Sequence, residues 1–166
     1  MNIKEGIEKR FSVRAFTDEV PSMNKIKEIL TMAGSAPSGG NIQPWKVYVL
    51  NEESKKKLAE KTLNNFDTGV QEEIEYEIYP KPLADEYKKR RYECGADMYE
   101  ALSIEKDDLD SRFKQIRENY NFFGAPLGMI ITIDRSFGSN GWGHVGMFLE
   151  NLWLSAIHHG LGLCLQ

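Results

Sequence analysis

Residues 36–45 read Ala-Pro-Ser-Gly-Gly-Asn-Ile-Gln-Pro-Trp, and they join a helical pattern to an apolar, strand-like run. The two prolines fix φ and remove backbone donors, while the two glycines open conformations that are closed to other residues. We therefore predict a shaped loop whose bare N–H groups can approach a ligand. Its hydroxyl and amide side chains, Ser38, Asn41 and Gln43, suit a planar polar heterocycle better than a naked anion. The same residue types also occur in an ordinary helix-to-strand connector.

Regular elements are predicted on both sides of this loop. Ser22 can cap a helix that runs to about Gly34, with apolar residues at core spacing. Apolar runs at 45–50 and 127–133 predict strands. The other predicted helices cover residues 3–10, 52–65, about 83–101, and from Asp107 or Asp108 to about Tyr120.

The segment from Arg10 to Arg14 alternates polar with apolar residues. In an extended conformation, its period of two places Arg10, Ser12 and Arg14 on one side and Phe11 and Val13 on the other. Two guanidinium groups that flank a hydroxyl form a clamp suited to phosphate, because arginine presents paired planar donors and stays charged. An amphipathic edge with two solvated arginines would give the same pattern.

A long apolar helix is predicted near the C-terminus, capped by Ser139 or Asn140 and reaching about His159. It is apolar on nearly all sides, and such a helix is buried. In a chain of 166 residues this burial most readily comes from a second copy, so we predict a symmetric dimer built on residues 141–159. No metal site is predicted, because adjacent histidines on a helix point about 100° apart.

Composition narrows the functional class. The chain has the length of one domain, and its formal charge is −4, from 21 Lys plus Arg against 25 Asp plus Glu. This balance argues against a nucleic-acid binder. The sequence contains no apolar run of membrane-spanning length and no signal-peptide pattern at its start, and its two cysteines make no disulfide framework. We therefore expect a cytoplasmic protein without membrane contact.

Residues 66–121 are polar, rich in tyrosine and broken by prolines. We interpret this stretch as a helical, lid-like insertion in the single domain 1–166. A peripheral helical insertion without a lid function fits the same pattern. The basic cluster at residues 88–91 has acidic neighbours, which favours a solvated helix face.

Taken together, the motifs at residues 10–14 and 36–45 and the apolar helix ending at Gly160-Leu161-Gly162 resemble the flavin-dependent nitroreductase family. Residues 87–92 and 121–126 are most similar to its nitrobenzoate and nitroaromatic reductase branch. The resemblance implies an α+β fold, with a central mixed or antiparallel sheet flanked by helices, and a homodimer with a long buried interface helix.

The resemblance also implies FMN at the subunit interface. One subunit would supply the phosphate and ribityl contacts through the segment of Arg10, Phe11, Ser12 and Arg14. The other would reach the flavin with its loop, through Pro37, Ser38, Gly39, Asn41 and Gln43. Phe122 and Phe123 are expected to line the acceptor site. No residue is predicted to act as a catalytic acid, base or nucleophile.

The implied reaction is ping-pong transfer of hydride from NAD(P)H, via flavin N5, to a nitroaromatic, quinone or similar acceptor. Family members continue beyond the position of Gln166 with further flavin contacts and a tail that embraces the partner subunit. The alternative is therefore a truncated, non-catalytic dimeric module that binds flavin weakly or not at all.

Overall fold

The structure is a computed structural model that describes residues 2–70, 73–74 and 76–166. It forms two compact units, one of Met1–Leu58 with Phe122–Gln166 and the other of Ala59–Asn121. The second unit contains the whole of the predicted lid-like insertion at residues 66–121, of which residues 71, 72 and 75 lie outside the described part. The lid function stays a prediction.

The first unit contains both described strands and the longest described helix of the chain. The elements of the whole chain, in order, are α1 (Ile3–Lys9), α2 (Met23–Gly34), β1 (Trp45–Leu50), α3 (Glu52–Asp67), α4 (Asp85–Ala101), α5 (Leu109–Arg117), β2 (Gly128–Ile133) and α6 (Gly138–His158). Each predicted helix and strand is present, with ends that shift by a few residues. Of the helices in the described ranges, none is both long and apolar enough to cross a membrane.

The core of the first unit lies between α2 and α6. Ile29 and Ala33 of α2 pack with Phe148 and Leu152 of α6, and all four are buried. Trp45, at the start of β1, stacks on Phe148 with ring centroids 4.9 Å apart. Strand β1 pairs antiparallel with β2, in a register that sets Trp45 opposite Ile133. This is the expected α+β arrangement.

Side-chain caps fix several helix starts. The Lys25 N–H donates to Ser22 Oγ over 3.3 Å, and the Ser111 N–H donates to an Asp108 carboxylate oxygen over 2.9 Å. Both caps were predicted from the sequence, Ser22 alone and Asp108 as one of two possibilities. The hydrogen bonds with Ser111 also hold the pKa of Asp108 below its ordinary value.

The predicted cap of α6 by Ser139 or Asn140 is wrong. The helix begins at Gly138, directly after a 3-10 turn at Arg135–Phe137. Asp134 starts that turn, because its carboxylate accepts from the Ser136 N–H over 2.9 Å. Helical backbone therefore begins before residue 139, and neither predicted residue is the N-cap.

This chain covers only one face of α6. Trp142 is 54% exposed and Met147 is 38% exposed. On the same open face, a Cβ atom added at Gly143 or Gly146 would meet nothing within 4 Å. The surface of α6 around Gly143, Gly146 and Met147 is therefore exposed to solvent in this chain, and the exposed Glu150 lies on the same face.

Gly141, in contrast, lies against β2. A Cβ atom there would clash with Ile133 Cδ1 and would lie 2.8 Å from Phe137 Cβ. We expect Gly141→Ala to lower the free energy of unfolding by about 1–3 kcal/mol through overpacking. Gly34→Ala is the control, since its Cβ would meet nothing within 4 Å. Denaturant titration checks this, and equal stability of the two variants would contradict the described packing.

Candidate functional site

The segment after α1 is held in place by the C-terminal residues. Ser12 forms a parallel bridge with Leu163, and the Val13 N–H donates to Leu163 O over 3.2 Å. A Cβ atom at Gly162 would come within 2.7 Å of Val13 Cγ2. Glycine at this position therefore lets the two backbones approach each other. The extended conformation predicted for residues 10–14 is present as a single bridge rather than a full strand.

Both arginines of this segment lie over aromatic rings. The guanidinium carbon of Arg10 is 4.8 Å from the ring centroid of Trp153, and that of Arg14 is 5.8 Å from the ring centroid of Phe123. Neither guanidinium forms an ion pair, and the Ser12 hydroxyl makes no hydrogen bond, within the described residues. The segment therefore offers two cations and a hydroxyl whose donors remain available, which we call the clamp.

The clamp also has a thiol neighbour. Burial raises the pKa of the Cys164 thiol, and the positive charge of Arg14 partly opposes that rise. Phe11 belongs to the same segment but is 65% exposed. In this chain alone, Phe11 therefore contributes little to the packing of the segment.

The loop at residues 37–43 is shaped by backbone conformations that side chains rarely adopt. φ is +58° at Gly40, +54° at Asn41 and +47° at Gln43. Ser38 closes the loop, because its Oγ accepts from the Gln43 N–H over 2.9 Å. Positive φ at non-glycine residues costs about 1–3 kcal/mol each and is concentrated at functional sites. The structure thus has a strained polar loop at the predicted position.

The predicted loop residues differ in which of their hydrogen-bonding groups remain available to a ligand. The Asn41 side chain is exposed and has no hydrogen-bond partner in the described ranges, and Pro37 and Gly39 are also exposed. The Gln43 amide nitrogen lies 3.5 Å from Gly34 O, which is at the long limit for a hydrogen bond. The Ser38 hydroxyl accepts a bond within the loop but keeps its own proton to donate.

Within one chain the clamp and the loop contact different parts of α6. A Cβ atom at Gly39 would lie 3.5 Å from His144 Nε2, whereas Arg10 stacks on Trp153. His144 and Trp153 are nine residues apart on α6. On an α-helix this separation corresponds to a rise of about 13 Å and a rotation of about 900°, which is half a turn beyond two full turns. The two contacts therefore lie on opposite faces of α6, and a single chain does not bring them together around one small ligand.

Phe122 and Phe123 both have positive φ, at +54° and +49°. Phe123 is buried beneath Arg14, and Phe122 packs against the start of β2, where its Cε1 would lie 3.1 Å from a Cβ added at Gly128. Phe123 is thus placed beside the clamp. That either ring lines an acceptor site stays a prediction.

Two residues of α6 were not assigned to this site from the sequence. They are His144 and Trp153. The Nδ1 atom of His144 and the Nε1 atom of Trp153 are buried, and neither has a hydrogen-bond partner among the described residues. Trp153 supports Arg10, and His144 lies against the loop. Both contacts join residues more than 100 positions apart, so local patterns gave no signal for them.

The comparisons with known proteins agree with this fold. The sequence model of the Nitroreductase family matches residues 7–166 of this chain. The chain is 34% identical over 160 residues to a 4-nitrobenzoate reductase of Nocardioides sp. (strain LMS-CY), and 32% identical over 165 residues to a nitrobenzene nitroreductase of Ectopseudomonas oleovorans. These alignments cover 95% and 99% of this chain, and 65% and 73% of the relatives.

Solved structures give the same result. The FMN- and NADPH-dependent nitroreductase NfnB from Sphigopyxis sp. strain HMH superposes with a TM-score of 0.92 at 34% identity, covering 99% of this chain and 74% of that one. The fold is therefore of the α+β nitroreductase type. The chain belongs to the nitroreductase family, which confirms the resemblance drawn from its motifs, and it spans about two thirds to three quarters of the length of these relatives.

Proposed function

We propose that this protein binds FMN and transfers hydride from NAD(P)H to an electron-poor acceptor such as a nitroaromatic or a quinone. Family membership supports the proposal, as do relatives named as nitroaromatic reductases and a structural neighbour that is an FMN- and NADPH-dependent nitroreductase. The observation that carries it is the clamp, in which Arg10 and Arg14 lie beside Ser12 without carboxylate partners among the described residues.

The residues present fit the two ends of FMN. The clamp offers guanidinium forks and a hydroxyl, the donors that a phosphate monoester takes up. Loop residues Ser38, Asn41 and Gln43 offer donors and acceptors together, which matches the polar edge of a flavin ring. The strained backbone of the loop holds this set in one conformation before a ligand arrives.

We propose that the complete site needs two copies of the chain. The clamp and the loop of one chain contact opposite faces of α6, so a second copy has to supply the complementary half. The open face of α6, with Gly143, Gly146 and Met147, is the surface on which that copy would pack.

In the proposed reaction, bound FMN would supply a ring nitrogen, N5, that accepts hydride and passes it on. The chain's own part is to bind and orient. The clamp holds the phosphate end, the loop holds the ring, and the buried residues around α6 keep water away from one side. We propose ping-pong order, in which the oxidised nicotinamide leaves before the acceptor binds, and we assign no catalytic acid, base or nucleophile.

The test is steady-state oxidation of NADH and NADPH by the FMN-loaded protein, with 4-nitrobenzoate or a quinone as acceptor. We expect oxidation that depends on the acceptor, with parallel lines in double-reciprocal plots at varied acceptor concentration. Protein that holds FMN yet oxidises neither nucleotide with either acceptor would contradict the proposed activity and favour the non-catalytic alternative.

A further inference from the structure

The helical unit of residues 59–121 contains a groove of its own, of about 320 Å³. Four basic side chains line it, Lys88, Arg91, Lys106 and Arg112, and no acidic residue is among its described lining residues. Tyr92 and Tyr99 supply its aromatic wall. This volume is at the small end of the range for ligand sites.

Two of the four basic side chains in the groove have an acidic neighbour, and the other two form no ion pair with the described residues. Lys88 pairs with Asp85 over 2.9 Å, and Arg112 lies in the field of Asp108. Arg91 and Lys106 make no ion pair with any described residue. In a chain with a net charge of −4, two unpaired cations in one concave surface favour an anionic ligand.

The rest of the basic cluster on α4 is arranged differently. Lys89 lies 3.8 Å from a Glu93 oxygen, and Arg90 lies 3.5 Å from a Glu86 oxygen. These exposed pairs are the usual i,i+4 arrangement on a solvated helix. Arg91 has Tyr87 and Gly95 at the equivalent positions. Of the two arginines in the cluster, the one that lines the groove is therefore the one without a carboxylate partner among the described residues.

Aromatic rings hold both guanidinium groups in place. The guanidinium carbon of Arg91 is 4.4 Å from the ring centroid of Tyr79, and that of Arg112 is 4.2 Å from that of Tyr99. Arg112 Nε also donates to Glu105 O over 3.3 Å. Planar forks fixed in this way lose less conformational freedom when they bind an anion.

We propose that this groove is a binding site for a phosphate-bearing anion, distinct from the clamp at residues 10–14. A phosphate monoester carries close to two negative charges and three acceptor oxygens. It therefore matches two cations that form no ion pair with the described residues, together with two further basic groups, better than a single carboxylate does. Free phosphorylated metabolites and the phosphates of a nicotinamide dinucleotide share this chemistry.

The direct test is isothermal titration of the full chain with inorganic pyrophosphate at low ionic strength. Wild-type protein binds, and Arg91→Ala weakens binding about tenfold, because charge-assisted hydrogen bonds are lost. Arg112→Gln gives a loss of similar size, and Arg91→Lys lies between Arg91→Ala and wild type because it keeps the charge without the fork. Circular dichroism establishes that each variant is folded.

Arg90→Ala is the matched control, because it removes the same residue type one position away on the same helix, outside the groove. We expect it to change pyrophosphate affinity by less than about twofold. Absence of binding to the wild type, or equal losses in Arg90→Ala and Arg91→Ala, would overturn the proposal.

Nucleotide kinetics then assign the source of the phosphate. A KM for NADPH that rises about tenfold in Arg91→Ala, with the KM for NADH unchanged, supports the groove as the site of the dinucleotide's extra phosphate. Unchanged KM values for both, with pyrophosphate binding lost, support it as a site for a free phosphate ester. Pyrophosphate binding without any turnover would contradict the proposed activity and leave the groove standing.

Discussion

Replacing Arg14 by alanine is expected to weaken FMN binding at least tenfold while leaving the protein folded. Arg14 is exposed, stacks on Phe123 and makes no ion pair with the described residues, so its removal breaks little of the fold. A charge-assisted hydrogen bond contributes about 1.5–3 kcal/mol, which corresponds to roughly ten- to hundredfold in affinity. The double variant Arg10→Ala with Arg14→Ala should lose flavin on desalting. Fluorescence titration with FMN measures the change.

The control for this prediction is Lys9→Ala. Lys9 is an exposed cation directly before the clamp, in the last turn of α1, and its removal lowers the net charge by the same amount. We expect less than a twofold change in FMN affinity. Equal losses in Lys9→Ala and Arg14→Ala would mean that general charge, rather than the clamp, attracts the cofactor.

Placing a carboxylate on the open face of α6 should dissociate the proposed dimer. Met147 is 38% exposed on this face, one residue after Gly146. In a symmetric dimer the change occurs twice, and each copy loses an apolar contact worth about 1.5–3 kcal/mol and gains a charge that must be desolvated. We expect Met147→Glu to raise the dimer dissociation constant at least a hundredfold and to weaken FMN binding with it. Light scattering after gel filtration measures the first effect.

Met32→Glu is the matched variant. Met32 is 43% exposed on α2, so the same substitution is made at nearly the same exposure on another helix of the same unit. It should leave both the oligomeric state and FMN affinity unchanged. Wild-type protein that is monomeric and still retains FMN on desalting would contradict the two-copy site.

Local chemistry made much of the fold predictable. Ser22 and Asp108 cap helices where the sequence indicates caps, and the glycine- and proline-rich stretch forms a loop between α2 and β1. The start of α6 was missed because Asp134 begins a turn before the residues that look like caps. A cap pattern identifies residues able to start a helix, but it does not rank two competing starts.

The candidate site was predictable in its residue types but not in its geometry. The alternation of polar and apolar residues at 10–14 predicted that the Arg10 and Arg14 side chains lie on one side. Their stacking on Trp153 and Phe123 depends on contacts that are distant in sequence. Asparagine tolerates positive φ, so Asn41 had a local signal, whereas the positive φ of Gln43, whose N–H donates to Ser38 Oγ, did not. The apolar residues on nearly all sides of α6 indicated that this helix is buried. Only the fold shows which of its faces the chain itself covers.

The most direct test of the central proposal is a visible absorption spectrum of the purified protein, recorded before and after incubation with FMN and desalting. A flavin band that survives desalting in the wild type, and is lost when Arg10 and Arg14 are both replaced by alanine, is the predicted result. A folded wild-type protein that stays colourless after incubation with FMN would contradict it.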